Sequence, residues 1–402
     1  MNYVNHIAYW ESGETIAEGA EIPPCAPGDF PEVTYDLERL KSDLNRFAVT
    51  QGPASLWRYA PLLPVEEVDN AVTLGEGWTP MLPVDRLAVA MGLQTLLAKD
   101  EGRNPSGTFK DRGASVAITR MRELGIKTII HNSSGNAAGS WAMYAARAGM
   151  RCVNLVPDDV LAGSLQQSVL SGAPTFILDG AWKESGAMVA DAVAKNGWHN
   201  MCTLKEPYRL EGKKTMGYEI AEQLGWALPD ALVYPCGGGL GAIAIYKAFK
   251  ELLALGWVTG PLPKMIIPQY EGCAPIVRAC ESDTNHAELW ENLDVPPGGL
   301  KSTRPPGDKA ILKILRETDG AAYAISTEDA LAATAEMMKL EGIFPCPESA
   351  TTVAGLRKAM SQGILEADAR VVLVITGNGL KSIPVLSNAA YQTIKPGEPL
   401  KI

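Results

Sequence analysis

Residues 231–241 run Ala231-Leu232-Val233-Tyr234-Pro235-Cys236-Gly237-Gly238-Gly239-Leu240-Gly241: an apolar strand, a glycine turn and the opening of a helix. Glycines in succession let backbone N–H groups converge on one point, and the helix N-terminus adds the positive end of a dipole. Such a turn cradles a phosphate. A tight turn needing positive φ is the ordinary alternative, but it does not require four glycines in five positions. Gly237-x-Gly239-x-x-Ala242 also fits a dinucleotide fingerprint loosely, so an NAD(P)-dependent dehydrogenase is the rival from another class. That rival wants an acid about 20 residues on, where the chain has Leu255-Gly256-Trp257-Val258-Thr259-Gly260.

Working outward from this segment, short apolar strands alternate with helical patterns from about residue 93. Strands are expected at 94–99, 127–131, 151–156, 174–178, 230–235, 264–269 and 370–376. Helices are expected at 110–124, 136–149, 183–196, 212–225, 240–255, 327–341 and 350–362. Alternation of this kind implies α/β architecture with parallel sheets covered by helices. Val371 to Ile375 is apolar throughout, as in a central strand buried on both faces. Residues 1–35 are polar and rich in Pro and Gly, and suggest an extended arm; residues 292–307 suggest an irregular loop that sets specificity.

Composition narrows the partners. At 402 residues the chain is long enough for two packed domains, and its net charge of −10 disfavours nucleic acid or an anionic membrane surface. An anionic substrate must then be held by local donors. The seven cysteines (25, 152, 202, 236, 273, 280, 346) form no Cys-x-x-Cys and no zinc spacing, and the four histidines are far apart. No metal site is expected, and reduced thiols fit a cytoplasmic protein. The N-terminal residues lack the pattern of a signal peptide, and no apolar run reaches membrane-spanning length.

Asn104-Pro105-Ser106-Gly107-Thr108-Phe109-Lys110-Asp111-Arg112-Gly113 places one lysine behind a turn and beside an aromatic ring, at the mouth of a helix. Partial burial there depresses an amine and makes it a nucleophile toward aldehydes; a plain helix-start lysine with an Asp–Arg pair behind it is the equal alternative. His131-Asn132-Ser133-Ser134-Gly135-Asn136-Ala137 follows a strand, and its hydroxyls, amide and N–H groups can bind a carboxylate or a phenolic oxygen. An ordinary N-cap loop is the simpler account of it. Thr376-Gly377-Asn378-Gly379 ends the buried strand, where a hydroxyl can meet a ring nitrogen or merely begin a glycine turn. In Glu206-Pro207-Tyr208-Arg209-Leu210-Glu211-Gly212, Arg209 either clamps an anion or pairs with Glu206 or Glu211 at the surface.

The Lys110 turn, the Ser-Ser-Gly-Asn loop, the glycine cradle and the Thr-Gly-Asn-Gly strand end, in this chain order, resemble the fold-type II pyridoxal-phosphate enzymes (the tryptophan synthase β-like fold, with two three-layer αβα domains), and most closely the threonine synthases. Trp57-Arg58-Tyr59, Leu74 to Pro80, Arg209 to Gly212 and Pro347-Glu348-Ser349-Ala350 extend the resemblance over most of the chain from about residue 35. It implies pyridoxal 5'-phosphate joined to Lys110, with Phe109 packed beside the ring and Asn136 on the phenolic oxygen. Gly237, Gly238, Gly239, Leu240 and Gly241 would hold the cofactor phosphate, and Thr376 would meet the pyridine nitrogen. Ser133, Ser134, Gly135 and Ala137 would line the substrate subsite, and Arg209 would take a substrate phosphate. The implied activity is threonine synthase acting on O-phosphohomoserine. A β-replacement or β-elimination (phosphoserine with sulfite, or a hydroxy-amino-acid dehydratase) is the second reading. The resemblance also implies a homodimer and an arrangement of 1–115 as arm and first part of the large domain, 116–205 as a small mobile domain and 206–402 as the large cofactor domain. Two positions depart from some family members: Ala137 and Leu204 stand where a hydroxyl side chain helps bind phosphate. Cys25 is the sole cysteine before Tyr35, in place of a cysteine-bearing N-terminal segment.

Overall fold

The computed structural model describes residues 3–17, 22, 23 and 25–386. Six strands form the larger sheet, in the order Ala321–Ile325, Lys264–Tyr270, Ala231–Val233, Arg370–Ile375, Thr95–Asp100, Met81–Pro83. All neighbours are parallel except the last pair. Four more strands make a second, wholly parallel sheet in the order Thr175–Leu178, Arg151–Pro157, Thr128–Asn132, His199–Asn200. The chain is therefore an α/β protein with mostly parallel sheets, and every expected strand and helix from residue 94 onward is present to within a few residues.

Parallel strands need both faces covered, and the central strand shows how that is met. Val372 and Val374 point into one apolar core, which they share with Leu232 and the helix Leu240–Ala254. Val371, Leu373 and Ile375 point into a second core with Ala231, Val233 and the helix Pro347–Ser361. Successive side chains alternate between two dry layers, so the whole run is apolar.

Three helices approach with almost no side chain between them: Lys110–Glu123, Tyr208–Gln223 and Leu240–Ala254. A Cβ added at Gly212 would lie 2.0 Å from the carbonyl oxygen of Arg112, and one at Gly217 would lie 2.6 Å from Ala248 Cβ. These glycines let backbones touch and set the helix that carries Arg209 against the helix that begins at Lys110.

Two expectations are corrected. The supposed extended arm contains an antiparallel sheet, with Val4–Tyr9 between Thr15–Ile16 and Pro31–Tyr35. Ile7, Tyr9 and Val33 alternate inward onto Trp141 and Tyr144, a period hidden by the prolines and by a register shift between Val4 and His6. The helix expected from 212 begins at Tyr208, because both Glu206 carboxylate oxygens accept from the N–H groups of the first turn. Residues 292–307 carry no helix or strand.

Candidate active site

Lys110 is fixed from behind. Asp111 accepts the Ser106 N–H at 2.6 Å and also takes the Ser140 hydroxyl, closing the turn and tying it to the helix Asn136–Ala148. Phe109 N–H donates to Thr376 O at 3.0 Å, which sets Lys110 beside the end of the central strand. The pairing of Asp111 with Arg112 does not occur: Arg112 turns away to Glu101 and Glu219, at 2.6 Å each.

The Lys110 ammonium nitrogen lies 4.4 Å from the Phe109 ring centroid and forms no ion pair among the described residues. Lys110 is half-buried and lines the cleft. Burial, seconded by the Arg209 charge and opposed by Glu348, lowers its pKa to about 7. Half of such amines are neutral at neutral pH, as an attack on an aldehyde requires.

The glycine turn faces it. Gly239 is left-handed at φ +89°, and a Cβ at Gly237 would meet Gly299 O at 2.7 Å. A Cβ at Gly241 would sit 1.8 Å from the Tyr234 hydroxyl oxygen. That hydroxyl is buried without a hydrogen-bond partner among the described residues, and no side chain caps the helix that starts at Leu240. Bare N–H groups and an orphaned hydroxyl around a small-residue turn are what a phosphate ester needs. The residues present fit pyridoxal phosphate: an amine for its aldehyde, an aromatic ring beside it and a cradle for its phosphate.

Thr376 completes the wall opposite, its hydroxyl 3.0 Å from that of Ser349. Asn136 opens its helix and accepts from the Ser164 hydroxyl at 3.0 Å. Ser133 Oγ accepts from the Gly135 and Ala138 N–H groups, so this hydroxyl already serves the helix start. Arg209 is 3% exposed, donates to Met201 O at 3.0 Å and lies over the Trp141 ring, away from any surface ion pair. Its neighbour Glu211 faces the opposite side, toward Lys214 and Lys247.

The cleft encloses about 410 Å³ and is lined by all the expected site residues except Gly135, which stands behind the loop at φ +134°. Sequence reasoning missed Lys213, Tyr234 and Glu348 as lining residues, together with the loop residues Lys301 and Arg304. Lys213 follows Arg209 by one helical turn, a spacing that places both on one face and was visible in the sequence. Glu348 is the one carboxylate of the lining among the described residues; its Oε1 accepts from Gly299 N–H at 2.8 Å, and this fastens the 292–307 loop to the helix start at Pro347.

The signature of the family described as "Pyridoxal-phosphate dependent enzyme" matches residues 72–377. The chain is similar to the threonine synthase of Methanosarcina acetivorans, 38% identical over 94% of this chain and 92% of that one. It is also similar to the threonine synthase of Methanocaldococcus jannaschii, 34% identical over 95% and 94%. Among solved structures, a processed threonine deaminase isoform 2 from Solanum lycopersicum superposes with TM-score 0.66 at 18% identity, over 91% of this chain and 93% of that chain, a likeness of fold. With relatives of this identity matched almost end to end around a lysine and a glycine cradle that suit the cofactor, the chain belongs to the threonine synthase family of pyridoxal-phosphate dependent enzymes.

Proposed function

We propose that the chain is a threonine synthase, which eliminates phosphate from O-phospho-L-homoserine and adds water at Cβ to give L-threonine. The observation that carries this reading is a cleft lined, among the described residues, by six basic side chains and one carboxylate in a protein of net charge −10, with one of its amines poised at about 7. A substrate bearing both a carboxylate and a phosphate suits that balance. The relatives, named threonine synthases, support it over β-replacement, dehydration or a dehydrogenase.

Bound there, pyridoxal phosphate would supply an electron sink that acidifies hydrogens on the substrate's α- and β-carbons. Lys110 would hold it by the ε-nitrogen and, freed by substrate, carry protons between those carbons. Phe109 and Asn136 would flank the ring, Gly237 to Gly241 would take its phosphate and Thr376 its ring nitrogen. A neutral hydroxyl at Thr376 would leave that nitrogen without a proton, which would favour elimination over transamination. Ser134 and the amides that follow it would bind the substrate carboxylate, and Arg209 its phosphate. Leu300 and Pro306 help exclude water from one side of the cleft.

Residues 116–205, which contain the four-stranded sheet, would form the mobile small domain, 1–115 and 206–402 the rest of the molecule. A cytoplasmic homodimer is the assembly we assign, and seven free thiols suit that compartment. The test is direct. Purified protein should carry a visible–ultraviolet cofactor band that borohydride abolishes, and should release phosphate from O-phosphohomoserine with threonine as product. Pyruvate or 2-oxobutyrate from a hydroxy amino acid, without phosphate release, would overturn the assignment.

A further inference from the structure

Among the described residues three lysines are almost fully buried: Lys99, Lys213 and Lys214. Lys99 pairs with Glu219 at 2.7 Å and Lys214 with Glu211 at 2.6 Å. Lys213 has no carboxylate at ion-pair distance and no hydrogen-bond acceptor among the described residues, although it is only 1% exposed. Its ammonium nitrogen lies 4.7 Å from the centroid of the same Phe109 ring that Lys110 approaches, and it lines the cleft.

Helix packing puts it there. A Cβ at Gly113 would lie 2.8 Å from Arg209 O and 3.3 Å from Lys213 Cε, so the two helices meet backbone to backbone. With that side closed, the side chains at 209 and 213, one turn apart, share the cleft wall. A buried charge with no counter-ion is costly. The charged groups that face Lys213 are Lys110 on the neighbouring helix and Arg209 and Glu206 at the start of its own. Burial and the two cations push the Lys213 amine well below the ordinary lysine value, with Glu206 opposing.

We propose that Lys213 is a second ligand for the distal anionic group of the substrate, forming with Arg209 a two-cation subsite for a tetrahedral dianion. This rests on the reading of the cleft as the site of a phosphorylated amino acid. It also offers a compensation for the hydroxyls absent at Ala137 and Leu204. A dianion there favours the ammonium form of Lys213, so its binding draws a proton from solvent to the extent that the amine is neutral beforehand, and an ion pair fills the basic pocket.

Calorimetric titration of the holoenzyme with inorganic sulfate, a dianion that does not itself titrate, tests this at pH 8 in buffers of different ionisation enthalpy. Wild type should take up a proton as sulfate binds. Lys213→Met should bind sulfate at least about 10-fold more weakly and without that uptake. Lys213→Arg, charged throughout, should keep affinity within about 3-fold of wild type and show no uptake. Sulfate that binds Lys213→Met as tightly as wild type with the same uptake overturns the proposal. So does a Lys213→Met protein that keeps sulfate affinity but loses the cofactor band, since Lys213 would then serve the cofactor's own phosphate. Wild type that takes up a proton through Lys213 yet releases no phosphate from O-phosphohomoserine upholds the subsite and overturns the threonine synthase reading alone.

Discussion

Lys110 and Arg112 stand two residues apart on one helix, and their surroundings are opposite. Behind the helix, Arg112 meets Glu101 and Glu219, Lys99 meets Glu219, and all four side chains are fully buried. Thr79 and Thr215 take further donors of the Arg112 guanidinium, so each charge there has its counterpart. In front, among the described residues, Lys110 and Lys213 have no ionic partner and Arg209 donates its guanidinium only to a backbone carbonyl. Saturated charge is scaffold: it fixes where the helix lies. Basic groups left without counter-ions on that scaffold, and facing a cleft, are stored attraction for an anion that is not part of the chain.

The front of the helix is tested first, where the largest effect is expected. Lys110→Ala should abolish the borohydride-sensitive band and lower turnover by roughly 10³-fold or more. Its fold should remain, because no pair is broken; a variant that still turns over at a tenth of the wild-type rate would remove Lys110 from the chemistry. The pH dependence carries a sign. The folded amine lies near 7, below its ordinary 10.5, so the unfolded chain holds that proton more tightly. Apo-protein stability should therefore rise with pH across this interval, and the rate of cofactor capture should level off above about pH 7. Capture that keeps climbing toward pH 10 contradicts the shift.

Arg112→Met tests the back. It leaves Glu101 and Glu219 buried without their cation, and about 3–5 kcal/mol of stability should be lost, seen as a lower urea midpoint. An unchanged midpoint would mean the network is not scaffold. Arg209→Ala should act on binding instead, raising KM for a phosphorylated substrate by about 10- to 100-fold at near-constant stability. Equal KM values would place the phosphate elsewhere. The smallest effect belongs to a partly exposed pair, Arg357 and Glu336 at 2.7 Å, whose loss through Arg357→Ala should cost less than about 1 kcal/mol. A larger loss would blur the distinction between buried and solvated charge.

How legible this was in the sequence depended on whether the signal is local. The buried strand at 370–375 announces itself because both its faces are dry, and the glycine turn because no other residue allows it. Arg112 looked like half of a local pair with Asp111, and only the fold reveals partners at 101 and 219. The N-terminal sheet escaped notice because its strands pair across a Pro/Gly-rich stretch, and their inward residues lean on Trp141, more than a hundred positions away. Lys213 and Lys214 are adjacent and identical in type, yet one closes an ion pair and the other does not. That difference is a matter of which way a helix is turned, set by Gly113 and Gly212.

The rim of the cleft has a strut of its own. Lys301, on the irregular loop, forms an ion pair with Asp159 just beyond the strand Arg151–Pro157, joining the two sheets' territories across the opening. An incoming oxyanion and Asp159 compete for the same ammonium, so seating the one loosens the other. Such competition would couple occupancy of this rim and the Lys301–Asp159 tie to each other, and ionic strength, which weakens both contacts, would set how readily the exchange is made.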